Sequence, residues 1–298
     1  MSFNEGVRSD SGRVRSSGRG SRAAGIGGGS LLLVVAVFLI GQFTGIDVSS
    51  VLNGATAPSQ QVAGDGIDLS GCTTGAAANE RTECRMVTTA DSLDAVWLEQ
   101  LDAQNTGVAY AMPDFQIFQT GVSTGCGNAT SETGPFYCPA DSTIYLDISF
   151  FEQMESYGAT NAPLAQEYVV AHEWGHHIQN LQGVFREHNT QETGAQGAGV
   201  RSELQADCYA GVWMHWASRT KDADSGVAFL KEPTPEQISD ALSTAEAIGD
   251  DHLQEKYQGA SNSDTWTHGS AQQRQSWLLK GLDSGSVAVC DTWSAPTV

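Results

Sequence analysis

Two short segments constrain this chain more than anything else in it: His172-Glu173-Trp174-Gly175-His176, and Glu203 with Asp207 downstream. Histidines four residues apart share a helix face, so both imidazoles can reach one metal ion. Glu173, one residue past the first histidine, can lean over that ion and take a proton from a water held there. A helix is expected over residues 164–181, which hold no proline, with Gly183 as a stop signal. Tyr168, His172, Gly175, His176 and Gln179 fall on one face, and Val170, Trp174, Ile178 and Leu181 form an apolar stripe on the other. A second helix, over residues 200–217, carries Glu203 and Asp207 with the same spacing of four. A two-histidine site needs a third protein ligand and an open position; Glu203 fits, with Asp207 and His177 next in line. Asp207 can also accept the free ring N–H of a metal-bound histidine and fix its orientation.

Charge narrows the class of partner. Formal net charge is −20, yet residues 1–25 hold five Arg against Glu5 and Asp10. The acidic body argues against a nucleic-acid partner. Residues 1–25 are rich in Gly, Ser and Arg without apolar periodicity, so they are expected to be a disordered, basic, cytoplasmic segment. No charge occurs between Gly25 and Ile46, and residues 31–40 are continuously apolar. Residues 26–46 therefore read as a transmembrane anchor with the arginines on the cytoplasmic side. The alternative is a cleaved export signal, although Ala55-Thr56-Ala57 lies far beyond the apolar run. Both readings place the body outside the cytoplasm. Residues 47–66 read as a linker and 67–298 as the functional domain.

All six cysteines follow the linker: Cys72, Cys84, Cys126, Cys138, Cys208 and Cys290. An even count in an exported domain favours disulfides, and no C-x₂-C pair points to structural zinc. Six cysteines allow fifteen connectivities. The local pairs Cys72–Cys84 and Cys126–Cys138 are favoured, leaving Cys208–Cys290. A short helix is expected over 91–104 with Asp91 as cap, and strands over 115–122 and 143–148. The second strand is expected half-buried, with Tyr145 and Asp147 outward, and as a candidate edge for an extended peptide. Residues 183–199 read as a mobile loop, 235–248 as a helix capped by Thr234, and 268–281 as a last helix opened by His268. Asp250 and Asp251 are too few carboxylates for a calcium site.

Several stretches carry a resemblance to a known family. They are residues 1–8, Gly134-Pro135-Phe136-Tyr137-Cys138-Pro139-Ala140-Asp141, residues 172–179 and 201–211, Ala247-Ile248-Gly249-Asp250-Asp251, and residues 266–273. With them the chain resembles the bacterial neutral zinc metallopeptidase family. Trp174 stands where the family often has Tyr, and Ala271 where a second Ser is common. The Glu203/Asp207 element is similar to that of the gluzincin clan. This implies an α+β, zincin-like fold: a small twisted sheet over the active-site helix, then a helical second half. The expected activity is hydrolysis of protein or peptide substrates by a membrane-anchored, extracytoplasmic enzyme. Zn2+ would be held by His172, His176 and Glu203, with Glu173 as base. The alternatives are a non-catalytic, zinc-stabilised envelope binding module and a zinc amidase acting on cell-wall peptides. A donor to the reaction's oxyanion is sought among His268, Tyr145, Tyr168, Tyr209 and Arg274. His268 is preferred for its small neighbours and for a place similar to the donor histidine of some gluzincins.

Overall fold

The computed structural model describes residues 2–17, 66–119 and 121–298. The expected span over 26–46 and nearly all of the linker lie outside these residues. Among the described residues no helix is long and apolar enough to cross a membrane. The order of elements is β1 (Arg15–Ser16), α1 (Gly75–Glu80), α2 (Thr82–Ala103), β2 (Asp114–Phe118), β3 (Gly121–Thr124) and β4 (Gly127–Thr130). Then come β5 (Phe136–Cys138), β6 (Thr143–Asp147), α3 (Phe150–Tyr157), α4 (Pro163–Gln182) and α5 (Val184–Glu187). The last four are α6 (Ala198–Ala217), α7 (Pro235–Ala247), α8 (Asp250–Gln258) and α9 (Ala271–Ser284). The fold is α+β: α1 and α2 precede the strands β2–β6, and the remaining helices follow them.

The four-stranded sheet runs β1-β2-β6-β5, parallel except for β5, and β3–β4 form a separate hairpin. The sheet lies behind α4: Trp174 packs edge-on to Phe115 at 5.8 Å between ring centroids, and Val170 and Ile178 are buried beside it. The apolar stripe of α4 thus meets the sheet as its pattern requires. Pro163 sits in the first turn, where its missing N–H costs no helical bond. Gly183 closes the helix at φ +85, a left-handed conformation that favours glycine.

Several expectations are corrected. Helix α2 begins at Thr82, so Asp91 is mid-helix rather than a cap. Thr88 and Thr89 return their hydroxyls to the carbonyls of Cys84 and Arg85, which satisfies them inside the helix. Strand β6 is central rather than an edge, and all five of its residues are buried. Its second face is covered: Tyr145 stacks on Phe136, and Asp147 accepts from Ser131 and Ser149. The region 183–199 holds α5 and is hydrogen-bonded to a distant loop, with Gly194 N–H donating to Trp266 O at 2.8 Å. The last helix starts at Ala271 and is capped by Ser270, so His268 precedes it.

The largest correction concerns the N-terminus. Residues 2–17 are not a disordered tail but part of the domain. Phe3 and Val7 are fully buried, Val14 nearly so, and β1 adds a strand to the sheet. The basic, Gly/Ser-rich composition hid three apolar anchors whose partners lie far along the chain.

The disulfides are Cys72–Cys84, Cys126–Cys138 and Cys208–Cys290, as expected from spacing and elimination. The third ties the C-terminal turn to α6.

Candidate metal centre

Helices α4 and α6 cross at the site, and a missing side chain lets them do so. A Cβ on Gly175 would lie 2.9 Å from both Cα and O of Ala206. Glycine is therefore required between the two histidines for α6 to bring Glu203 to them. Helix α9 approaches α6 the same way: a Cβ on Gly281 would fall 1.9 Å from Cys208 O, and one on Gly211 2.1 Å from Leu278 O.

His172, His176 and Glu203 converge, each offering one ligand atom, with these atoms all within 4.8 Å of one another. His172 Nε2 is 3.1 Å from one Glu203 oxygen and His176 Nε2 is 3.5 Å from the other. Both Nδ1 atoms are engaged elsewhere: His172 with Asp207 Oδ1 at 2.8 Å, His176 with Gln179 Oε1 at 2.8 Å. Those acceptors take the Nδ1–H of each ring and leave both Nε2 atoms, the nitrogens available to a metal, directed at Glu203. Two imidazoles and one carboxylate in a buried pocket fit zinc by donor chemistry.

Asp207 is the hub behind the histidines. Arg274 on α9 donates Nε to Oδ2 and Nη2 to Oδ1, both at 2.9 Å, and Tyr168 Oη donates to Oδ1 at 2.6 Å. Burial alone would raise the Asp207 pKa, but Arg274 and His172 overcome it and hold it at about 2. Burial works against a charge on His172, yet Asp207 and Glu203 outweigh it and bring its pKa to about 10. Burial likewise opposes ionisation of Glu203, but the histidines hold its pKa well below the usual range. A zinc ion would displace the proton from His172 and meet ionised carboxylates.

Glu173 lies beside this cluster and makes no hydrogen bond or ion pair among the described residues. Its oxygens are not sealed from solvent. His177 is directed elsewhere, toward Tyr137 Oη at 3.1 Å and Ala111 O at 2.6 Å, so it is not brought to the cluster. Burial lowers its pKa to about 4.

The donor candidates separate by their partners. Tyr168 and Arg274 are bound to Asp207, Tyr209 donates to Gln182 Oε1 at 2.8 Å, and Tyr145 to Asp141 Oδ2 at 2.8 Å. His268 engages only Nδ1, at 2.7 Å from Thr267 Oγ1 and 3.8 Å from Asp250 Oδ1; its Nε2 makes no hydrogen bond among the described residues and is not sealed from solvent. The next residue, Gly269, would bring a Cβ within 3.1 Å of Val200 and 3.4 Å of Leu204, which flank Glu203 on α6.

Sequence reasoning missed what holds this loop. Asp250 Oδ2 accepts the backbone N–H groups of Thr267, His268 and Gly269 at 2.7, 2.6 and 2.9 Å. Asp251 Oδ1 accepts from Ala271 N–H at 2.7 Å. These carboxylates serve the loop rather than calcium. The available signal was the pairing of two otherwise unexplained stretches, 247–251 and 266–273. The role of Arg274 was missed too, although a buried Asp207 requires a counter-charge.

Buried imidazoles and a carboxylate around one point, with a second carboxylate unengaged beside them, are the donor set of the metal-dependent hydrolases. The chain belongs to the family described as "Putative neutral zinc metallopeptidase", whose profile matches residues 3–293. It is 47% identical over 252 residues to an uncharacterized protein of Mycobacterium tuberculosis, covering 84% of each chain. It is 35% identical over 299 residues to the uncharacterized protein YpfJ of Escherichia coli, covering 97% of this chain and 94% of that one. No solved structure matches it.

Proposed function

We propose that the protein is an extracytoplasmic zinc metallopeptidase, associated with a membrane through residues 26–46. One observation carries the catalytic reading: both Nε2 atoms face the Glu203 carboxylate while Glu173 beside them is left without a partner. In this reading His172, His176 and Glu203 hold the ion, and Asp207 orients His172. Bound zinc supplies Lewis acidity and lowers the pKa of a coordinated water to about 7. Glu173 accepts the proton of the attacking water and passes it to the leaving amine. In this reading Thr267 Oγ1, 2.7 Å from His268 Nδ1, serves as the donor of that contact, so that the ring proton sits on Nε2 and is donated to the developing oxyanion. The substrate is a protein or peptide; acidic surface charge disfavours nucleic acid. Placement outside the cytoplasm is supported by the three disulfides.

A zinc-stabilised binding module would have no use for Glu173. An amidase acting on cell-wall peptides shares the chemistry and differs only in substrate. The test is hydrolysis of a quenched fluorogenic peptide library and of cell-wall peptides by the purified protein. Cleavage is expected to stop with a chelator and return with zinc. His268→Ala is expected to lower kcat about a hundredfold with KM, zinc content and Tm unchanged. Wild-type turnover in His268→Ala would remove that residue from the mechanism, and metal-independent cleavage would remove zinc.

A further inference from the structure

The docked N-terminal segment has a consequence for where both ends of the chain reside. Residues 2–17 lie in a groove made by α1, α2, the edge of β2 and the turn at 220–230. Phe3 is paired to Asn79 in both directions, its N–H donating to Oδ1 at 2.9 Å and its carbonyl accepting from Nδ2 at 3.0 Å. Asn4 N–H donates to Phe229 O, Lys231 N–H to Ser2 O and Gly75 N–H to Val7 O, all at 3.0 Å. The groove is shaped for this peptide: a Cβ on Gly75 would lie 2.0 Å from Asn4 O. Arg15 and Ser16 pair in parallel register with Gln116 and Ile117.

Arg13 connects the segment to the metal centre. Its Nε donates to Asp94 Oδ2 at 2.6 Å and its Nη2 to Pro113 O at 2.7 Å. Its guanidinium stands 5.5 Å from the centroid of the Trp174 ring. Tyr110 Oη donates to the other Asp94 oxygen and accepts from Trp174 Nε1 at 2.9 Å. Trp174 is the residue after Glu173, so the segment braces the back of the active-site helix.

A single crossing by residues 26–46, with the N-terminus in the cytoplasm and the body outside, would put this peptide and its groove on opposite faces of a bilayer. Buried side chains and a paired strand cannot be shared across a membrane. We infer that residues 2–17 are a built-in part of the catalytic domain and lie on its side of the membrane. Residues 17 and 66 therefore lie on the same side of the membrane. The inference does not depend on peptidase activity.

All six native cysteines are paired, so one introduced cysteine is the only free thiol. Glu5 and Ser284 are exposed, whereas Val7 is fully buried. Full-length Glu5→Cys, Ser284→Cys and Val7→Cys variants are labelled in intact cells with a membrane-impermeant maleimide, then after lysis, then after denaturation. Glu5→Cys and Ser284→Cys are expected to label together in intact cells, and Val7→Cys only after denaturation. Labelling of one exposed site before lysis and the other only after it would overturn the inference. So would a Val7→Cys that labels as readily as Glu5→Cys in native protein. If both exposed sites label only after lysis, the shared side stands and the extracytoplasmic placement fails.

Discussion

Glu173→Gln is expected to lower peptide turnover by a factor of about 10²–10⁴, the usual contribution of a positioned general base. Zinc content and melting temperature should be unchanged. The reason is what Glu173 does not touch: no hydrogen bond or ion pair to it exists among the described residues. An amide of the same shape removes the proton acceptor and leaves every ligand and helix contact in place. Steady-state kinetics beside elemental analysis decides the matter. A variant that loses zinc with its activity would make Glu173 a structural residue. One that cleaves at the wild-type rate would place the base elsewhere.

Asp207→Ala is expected to be the most destabilising single change at the site. Asp207 is fully buried and is the acceptor for both Arg274 donors, for Tyr168 and for His172. Its removal leaves the Arg274 guanidinium, only 2 % exposed, without a counter-charge. Breaking a buried pair in this way typically costs about 3–5 kcal/mol. Denaturant unfolding measures that loss, and an equilibrium zinc titration should show affinity weaker by about 10–100-fold, the common effect of removing a group that orients a ligand. Asp207→Ala combined with Arg274→Met should recover part of the stability but not the zinc affinity, because the stranded charge goes while His172 stays unoriented. Equal recovery of both would mean that Asp207 acts on the site only through folding.

How much of this was legible depended on whether the signal was local. His172, His176, Glu203 and Asp207 could be read because helical spacing alone decides which residues share a face. The α4 boundaries followed from Gly183, and the disulfides from two short spacings and a remainder. Gly175 was legible as a member of the polar face, but its function is a distance between two helices, which no single-helix pattern carries. The same holds for Asp250, whose three backbone partners lie seventeen to nineteen residues on. Strand β6 was misread because alternation reports one covered face, whereas the β3–β4 hairpin region covers the other. The N-terminal segment was misread for the opposite reason. Its composition is that of a disordered tail, and Phe3, Val7 and Val14 gain meaning only against a groove assembled from residues 73–118 and 220–231.

The most direct test of the metal centre is the zinc stoichiometry of Glu203→Ala. The purified wild-type protein is expected to carry one zinc per chain, and Glu203→Ala to lose it after dialysis while keeping its fold by circular dichroism. A Glu203→Ala protein that still holds one zinc with wild-type affinity would contradict the proposed ligand set.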